Sequence, residues 1–418
     1  MKYEYIQQED PAIADIIKAE EQRQKEGIEM IPSENYVSGA VLEALGSVMT
    51  NKYSEGYPHK RYYGGQENTD QIEEIAIDRA KQLFKAEHVN VQPLSGAPAN
   101  VAVYFALLQP GDTVLGMDLS HGGHLTHGHP VTYMAKLFNF IRYKMKDVST
   151  GEIDYDELRQ TAIKEKPKII LAGFSAYPRE IDYAKMKSIA DEVGAITMMD
   201  AAHIAGLIAG EQLRNPFDDG FDIVTTTTHK TLRGPRGGMI MSRESFAKAI
   251  DKSVFPGFQG GPHMNNIAAK AVAFGEALKP EFKTYAAQVI KNAAKLSEEL
   301  QARGAKLITG GTSNHLMLVD AMTSWNVPGK LAQQLLDSVG ITLNMNMIAD
   351  DPRSPMDPSG IRLGTPAITT RGAKEEDMTK IADWMVQVLT NPEDITLHEK
   401  IRDEVRQFSL QFPVPGIK

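Results

Sequence analysis

The sequence predicts an α/β protein of two domains built on a mostly parallel sheet, and three observations lead to this prediction. The chain of 418 residues is longer than one hydrophobic core usually organises. Short apolar or β-branched runs alternate with helical stretches between residues 71 and 227, as in sheets covered by helices on both faces. Nearly continuous helical periodicity over 262–304 then precedes mixed strands and helices, which indicates a smaller α+β domain.

The predicted elements begin with a helical arm over residues 1–25. This stretch is acidic and amphipathic, and Asp10-Pro11 is a typical helix entry. One face carries an apolar stripe made of Ile13, Ile16 and Ile17. Because such a segment cannot bury its stripe alone, we expect it to pack on the body of the protein or on a partner subunit.

Alternating strands and helices follow the arm. The large domain is predicted over 26–280 and the small domain over 281–418. Helices are predicted from apolar spacing at 71–84, 99–108 and 183–193. Strands are predicted from apolar and β-branched runs at 113–117, 168–172, 195–199, 223–227, 316–319 and 361–363. The Pro- and Asp-rich run 350–358 is predicted to be a surface loop.

The composition excludes several classes of protein. A hydrophobic share of 42% and a charged share of 24% are typical of a globular chain. The net charge of −9 argues against a surface for nucleic acid or anionic membrane. The absence of cysteine rules out disulfides, thiolate nucleophiles and cysteine-bound metals. Without a signal peptide or an apolar run of about 20 residues, we expect a cytoplasmic protein.

Lys230 follows a run of four threonines that ends a predicted strand, and a basic, glycine-rich stretch over 232–238 follows it. Taken alone, a lysine in this position is more often a solvated surface charge. The basic continuation favours a functional interpretation, because desolvation and nearby cations lower the pKa of a lysine from about 10.4 and make it an imine former. His229, Arg233 and Arg236 are close enough in sequence to contribute.

Asp200 directly follows the predicted strand 195–199, at the strand end where parallel-sheet folds place their ligands. The plain alternative is a helix N-cap, since aspartate is favoured there. The functional alternative is an acid that pairs with the protonated pyridine nitrogen of pyridoxal phosphate (PLP), whose ring acts as an electron sink. Asp200 precedes Lys230 by about one strand–helix–strand unit, which predicts that both lie near the same sheet edge.

The turn Ser95-Gly96-Ala97 opens a predicted helix and offers free N–H groups for a phosphate. This signal is weak alone, because glycine-containing turns before helices are common. Nucleotide-binding glycine fingerprints are absent.

Four histidines occupy the glycine-rich stretch 121–129. A metal site is the less favoured interpretation, because such a loop does not fix ligands as a helix would and no carboxylate is nearby in sequence. An imidazole that stacks on a flat cofactor ring needs only one of the four. The stretch 53–65 crowds aromatic and charged residues without a period, which indicates a functional loop, although a surface loop without a role remains open.

Together these motifs resemble those of the serine hydroxymethyltransferases, and the length resembles the bacterial form. The resemblance is carried, in chain order, by residues 33–35, 53–58, 61–65, 121–128, 225–238, 255–262 and 360–367. It implies a fold-type-I PLP enzyme with a mostly parallel seven-stranded sheet in its large domain, and a homodimer whose subunits share active sites. It implies transfer of the hydroxymethyl carbon of L-serine to tetrahydrofolate, giving glycine and 5,10-methylenetetrahydrofolate. From the charge, the apolar runs and the histidine-rich stretch, we expect no metal, nucleic-acid or membrane partner.

The resemblance also implies the residues of the cofactor site. Lys230 holds PLP as an imine, Asp200 pairs with the ring nitrogen and His124 stacks on the ring. Ser175 and His203 lie near the phenolic oxygen, and Arg236 is a further cofactor ligand. The phosphate is bound by four residues, namely Ser95, Gly96, the partner's Gly260 and the partner's Gly261. Many members carry a second phosphate-binding hydroxyl where this chain has Ala97, which puts full cofactor affinity in doubt.

The resemblance places the substrates as well. Arg362 clamps the serine carboxylate with a bidentate fork, helped by Ser33 and the partner's Tyr53. The partner's Glu55 handles protons near the serine hydroxyl, with Tyr62 and Tyr63 beside it. The catalytic group is Lys230, Glu55, His229, Tyr63 and Thr227. Folate is received by Glu55, Tyr62, Leu119, Gly123, Leu125, Asn346, Ser354, Pro355 and Met356.

Two rival functions remain open from the sequence. A threonine-aldolase-like PLP lyase would share the chemistry up to the substrate carbanion but would need no folate. A binding protein without PLP, for example one for nucleic acid, would use the same fold. The negative charge and the presence of Lys230, Asp200 and Arg362 argue against the second rival.

Overall fold

The computed structural model describes residues 3–417, and backbone proximity divides them into two compact units. One unit is Ala40–Ala287, and the other joins the described residues up to Gly39 with those from Gln288 onward. The boundary falls within the helix Pro280–Ala302. The domain limits predicted after residues 25 and 280 stay a prediction.

The larger unit contains the predicted sheet. Its seven strands lie in the order His88–Asn90, Gly238–Ser242, Ile223–Thr227, Ile196–Asp200, Ile169–Gly173, Thr113–Met117 and Asn139–Tyr143. Every neighbouring pair is parallel except the two pairs made by Gly238–Ser242, which is antiparallel to both neighbours. The predicted α/β class with a mostly parallel sheet is therefore confirmed.

The register of the central strands brings their carboxyl ends to one edge. Asp200 pairs with Thr225 on one side and with Gly173 on the other. The strands Ile169–Gly173 and Ile223–Thr227 are buried along their whole length, as expected for a sheet covered on both faces. Their apolar side chains join one core with residues such as Leu171, Met198, Ile223 and Ile240.

Helices surround this sheet. They are Gly39–Leu45, Glu67–Phe84, Gly96–Leu107, Tyr155–Glu165, Tyr183–Val193, Ala205–Ala209, Ala247–Lys252 and Met264–Ala277. Two short hairpins pair Gly56–Tyr57 with Lys60–Arg61 and Met145–Asp147 with Glu152–Ile153. The prediction at 183–193 is confirmed to the residue, whereas the helix predicted at 71–84 begins at Glu67.

The second unit is built on a three-stranded antiparallel sheet in the order Leu316–Asp320, Gly360–Gly364 and Asn344–Asn346. Ile28–Glu29 pairs in parallel with Ile341–Thr342. Helices complete this unit at Glu4–Glu9, Pro11–Glu26, Ala321–Trp325, Gly329–Ser338, Pro366–Thr370, Glu375–Thr390 and Ile395–Ser409. Its core includes Leu336, Ile361, Ile381 and Met385.

The N-terminal arm forms two helices, Glu4–Glu9 and Pro11–Glu26, where the sequence predicted one. Asp10 separates them and caps the second, accepting a hydrogen bond from the Ile13 backbone N–H at 3.2 Å. In the predicted stripe, Ile13 and Ile16 are 47% and 65% exposed. This chain alone therefore leaves much of the stripe uncovered. Among the described residues, no helix is long and apolar enough to span a membrane.

Candidate active site

Asp200 is a buried carboxylate that three donors hold at the end of its strand. Its Oδ2 accepts hydrogen bonds from Asn100 Nδ2 at 2.8 Å and His127 Nε2 at 3.1 Å, and Oδ1 accepts one from the Ala202 N–H at 3.1 Å. Burial alone would raise its pKa, but the hydrogen bonds from His127 and Asn100 hold the pKa of Asp200 well below its usual range. Asp200 is therefore an anion kept out of water, which a cationic ring nitrogen would pair with.

The histidine-rich loop 121–129 supplies one of the donors that hold Asp200. His127 Nδ1 accepts the His124 backbone N–H at 3.1 Å, so Nε2 is the ring nitrogen that donates a hydrogen bond to Asp200. His124 Nδ1 lies 2.7 Å from Thr126 Oγ1, and this ring is half-buried. One ligand atom each of His124, His127 and Asp200 lies within 4.8 Å of the others, as in a metal cluster. Both nitrogens of His127 already have hydrogen-bond partners, which favours a structural role for this histidine over metal binding.

Lys230 lies on a loop directly beside the segment that follows Asp200. Thr227 Oγ1 donates to Ala202 O at 3.2 Å, and Thr231 Oγ1 donates to His203 O at 2.9 Å. Lys230 itself is half-buried. Because these two bonds flank the lysine, the loop is fastened to residues 202 and 203 on both sides of Lys230.

His229 lies near several positively charged side chains at this loop. Burial, then the charges of Arg236 and Lys230, lower the pKa of His229 to about 3. The imidazole is therefore neutral at ordinary pH. Arg236 is exposed, whereas the Arg233 guanidinium lies 4.1 Å from the centre of the Tyr285 ring. Arg233 thus has an aromatic partner of its own.

The turn at Ser95 meets the same edge of the sheet. Helix Gly96–Leu107 begins there, and Ser95 makes no side-chain cap, which leaves the first N–H groups available for an anion. A Cβ on Gly96 would lie 2.8 Å from Thr227 Cγ2, and one on Gly238 would lie 2.5 Å from Ser95 O. Only glycine lets the turn approach these strands so closely. Ala97 is exposed at the start of the helix.

Four of the predicted residues form one surface cluster, which we call the donor patch: Tyr53, Glu55, Gly260 and Gly261. Tyr53 Oη donates to Glu55 Oε1 at 3.2 Å, and this bond raises the pKa of Tyr53. A Cβ on Gly260 would lie 3.2 Å from Glu55 Oε1, and one on Gly261 would lie 3.1 Å from the Tyr53 ring. The family resemblance predicts that all four residues act in the active site of the other subunit.

Two exposed tyrosines lie beside the donor patch. Tyr63 packs edge-on against Tyr53, with ring centres 5.0 Å apart, and Tyr62 lies 5.6 Å from the Phe255 ring. Tyr62 and Tyr63 are 74% and 50% exposed. Such exposed aromatic surface is typical of a face that binds a partner or ligand.

The remaining predicted residues of the larger unit lie on the loops after neighbouring strands. Leu119 and Leu125 lie in short 3₁₀ turns, and Leu125 is 45% exposed. A Cβ on Gly123 would lie 2.3 Å from Met117 O, so the loop requires glycine there. The Ser175 N–H donates to Gly122 O at 2.7 Å, and His203 is buried.

The other unit carries the residues expected to bind carboxylate and folate. Arg362 Nε donates to Asn344 Oδ1 at 3.1 Å, and burial lowers the pKa of Arg362 to about 10. Asn346 lies on the strand beside Arg362, and Ser33 lies in a half-buried turn. The predicted surface loop 350–358 is confirmed, and its residues Ser354, Pro355 and Met356 are exposed.

The sequence did not identify several residues that hold this site together. Asn100 joins Asp200 to Thr225, whose hydroxyl donates to Asn100 Oδ1 at 2.6 Å. His127 was noticed only as one of four histidines, and Asn344 was not noticed. Asn100 lies three residues after the turn Ser95-Gly96-Ala97, but nothing in the local sequence indicated a contact with an aspartate 100 positions away.

An enzyme that uses a phosphorylated aldehyde with a ring nitrogen needs three groups at one sheet edge. They are an amine for the aldehyde, a phosphate-binding site and a fixed carboxylate for the ring nitrogen. The larger unit supplies the amine at Lys230, the free N–H groups at the Ser95 turn and the carboxylate at Asp200. The fold and site thus define the class of PLP-dependent enzymes.

Comparison with known proteins identifies the family within this class. The sequence profile of the serine hydroxymethyltransferases matches residues 6–385. A serine hydroxymethyltransferase from Desulfotalea psychrophila is 56% identical over 413 residues, which cover 99% of this chain and 96% of that protein. One from Acidothermus cellulolyticus is 56% identical over 414 residues, covering 98% of this chain and 96% of that protein. The chain belongs to the serine hydroxymethyltransferase family.

Proposed function

We infer that the chain is a PLP-dependent one-carbon transferase that moves the hydroxymethyl carbon of L-serine to tetrahydrofolate, giving glycine and 5,10-methylenetetrahydrofolate. Family membership over nearly the whole chain carries this inference. The buried anion Asp200 beside the Lys230 loop supports it independently, because this donor set suits the cofactor that the family uses.

When bound, PLP supplies an electron-withdrawing ring that stabilises negative charge left on the substrate Cα. Lys230 would hold it covalently, and Asp200 would keep a proton on the ring nitrogen. His124 would flank the ring, while Ser175, His203 and Arg236 would contact its polar groups. The phosphate would be held by Ser95, Gly96 and the two glycines of the partner subunit's donor patch.

The substrate residues act through charge and orientation. Arg362 would bind the serine carboxylate with two parallel hydrogen bonds and fix the rotation of the amino acid, so that its Cα–Cβ bond is the one broken. Ser33 and the partner's Tyr53 would add hydrogen bonds. The partner's Glu55 would move the proton of the serine hydroxyl, with Tyr63 beside it. The pKa of His229 is lowered to about 3, so its neutral ring would contribute a hydrogen bond and no charge to this group, to which Thr227 also belongs.

Folate and the second subunit complete the proposal. The folate ring would bind against a partly apolar surface formed by Leu119, Gly123 and Leu125. Asn346, the loop Ser354-Pro355-Met356, and Glu55 with Tyr62 would contribute from the other predicted positions. We propose a homodimer, because Tyr53 and Gly260 of the donor patch and the two neighbouring tyrosines are exposed in the single chain. A cytoplasmic location stays a prediction.

The decisive experiment measures product formation with and without folate. Purified protein loaded with PLP is given L-serine, and glycine is quantified in the presence and absence of tetrahydrofolate. We expect glycine formation to depend on tetrahydrofolate, with 5,10-methylenetetrahydrofolate formed in equal amount. Equal rates without folate would instead favour a threonine-aldolase-like lyase, and no PLP-dependent turnover would reject the proposed enzyme class.

A further inference from the structure

Lys270 is a fully buried lysine that none of the proposed steps uses. It lies on the helix Met264–Ala277, and only 1% of it is exposed. Its Nζ donates three hydrogen bonds, to Val91 O at 2.7 Å, Pro93 O at 3.1 Å and Gly238 O at 2.8 Å. All three donor positions of the ammonium therefore have carbonyl acceptors.

These carbonyls belong to two segments that both lead to the cofactor site. Val91 and Pro93 lie between the strand His88–Asn90 and the turn at Ser95. Gly238 opens the strand that follows the Lys230 loop. The two segments also touch directly, since the Gly238 N–H donates to Pro93 O at 3.0 Å. Lys270 thus joins the backbone before the phosphate turn to the backbone after the Lys230 loop.

We propose that Lys270 is a positioning residue that holds the phosphate-binding turn Ser95-Gly96-Ala97 against the Lys230 loop, before the cofactor binds. The proposal rests on the proposed function, because it assigns the phosphate of PLP to this turn. An apolar side chain of equal length would leave Val91 O and Gly238 O without this donor in a buried position. The turn would then relax, and its N–H groups would no longer converge on one phosphate.

Other contacts also fix the segment that Lys270 binds. Burial lowers the pKa of Lys270 to about 7, whereas the charge of Glu73 and the three carbonyl acceptors favour the ammonium form. Glu73 is itself held by Arg61 Nη2 at 2.6 Å and Gln92 Nε2 at 2.7 Å. Gln259 binds the same segment from another side, accepting the Leu94 N–H at 3.1 Å and donating to Gln92 O at 2.9 Å. Residues 91–94 are therefore fixed from several directions.

The test compares two aldehydes that differ only in the phosphate. Apoenzyme of the wild type and of Lys270→Met is titrated with PLP and with pyridoxal, and the dissociation constants are measured by absorbance. We expect Lys270→Met to weaken PLP by about tenfold or more while changing pyridoxal by less than about twofold. Lys279→Met, at an exposed lysine just beyond the same helix, is the matched control and should leave both constants unchanged.

Two outcomes of this titration would overturn the proposal: an equal loss for both aldehydes, which indicates general destabilisation, or no loss for either. If Lys270→Met does not fold, Gly237→Ala gives a second test, because its Cβ would lie 2.6 Å from Lys270 Cε and displace the ammonium. The same selective loss of PLP is expected, and an unchanged ratio of the two constants would reject the clamp. A wild type with no preference for PLP over pyridoxal would instead contradict the proposed function.

Discussion

At the scale of single residues, Asp200 depends on donors from far along the chain. His127 and Asn100 lie 73 and 100 positions away from it, and both hydrogen bonds stabilise its charged form. We predict that Asp200→Asn lowers kcat with serine and tetrahydrofolate by at least about 100-fold, because a preorganised charge is lost. PLP should remain bound through Lys230. Absorbance measures cofactor content and product assays measure kcat.

The matched control for this change is Asp403→Asn, at an exposed aspartate of the helix Ile395–Ser409. It should leave kcat unchanged. Normal turnover in Asp200→Asn would remove the carboxylate from the chemistry, and loss of bound PLP would assign it to cofactor retention instead.

His229 predicts a pH dependence of stability in the apoenzyme. Burial and neighbouring cations lower its pKa to about 3 in the folded chain, against about 6.5 when unfolded. Only the unfolded chain binds the proton between these values, so stability is complete above about pH 6.5 and falls as the pH decreases toward 3. Between pH 7 and 5, the wild type should lose about 2 kcal/mol more unfolding free energy than His229→Gln.

Urea denaturation at both pH values checks this expectation. His263→Gln, at an exposed histidine, is the matched control and should follow the wild type. If the wild type and His229→Gln lose equal stability on acidification, the histidine is not held neutral by the fold.

At the scale of elements, the strands that end at Asp200 and Thr227 were predictable because each is a short apolar or β-branched run. The ends of these strands lie at the candidate site, so Lys230 and Asp200 could be proposed as site residues from the sequence. The strand Asn139–Tyr143 was missed because it lies at the sheet edge and is largely half-buried, without a clear apolar run. The strand Gly238–Ser242 was missed because it begins within the glycine-rich stretch 232–238, which is typical of a loop.

The donors of the site could not be predicted for a different reason. The pairing of Asp200 with Asn100 and His127 depends on strand order and register, which a local pattern does not specify. The contact between the Ser95 turn and Gly238 has the same origin. Motif resemblance supplied roles for the residues, but the packing that supports them required the fold.

The short helix Ala205–Ala209 provides a prediction about an element. A Cβ on Gly206 would lie 2.1 Å from Thr231 O, so this helix packs against the Lys230 loop only because glycine is present. We predict that Gly206→Ala lowers the free energy of unfolding by about 1–3 kcal/mol through overpacking. PLP affinity should fall with it, because the loop must move.

Chemical denaturation and cofactor titration measure both effects. Gly46→Ala is the matched control, since the nearest atom to its Cβ would be Leu42 O at an ordinary 3.7 Å. Equal unfolding free energies for the two variants would show that the Lys230 loop accommodates the methyl group without strain.

At the scale of the whole molecule, the donor patch leads to a prediction about the proposed homodimer. Tyr53, Glu55, Gly260 and Gly261 lie together in one chain, and Tyr53 is 54% exposed. The resemblance assigns these residues to the site of the other subunit, and one contiguous patch is what a symmetric dimer would insert as a unit. The site that contains Lys230 would then be incomplete without a second copy.

Subunit complementation tests this arrangement. Lys230→Ala and Glu55→Gln chains, each inactive alone, are coexpressed with different tags. If Glu55 acts across the interface, each mixed dimer has one site with both changes and one intact site, and random pairing should restore about a quarter of wild-type activity. Lys230→Ala coexpressed with Asp200→Asn is the matched control and should restore none, because both residues serve the site of their own chain. Absence of activity in the first mixture would place Glu55 beside the Lys230 of the same chain, since each site would then carry one defect.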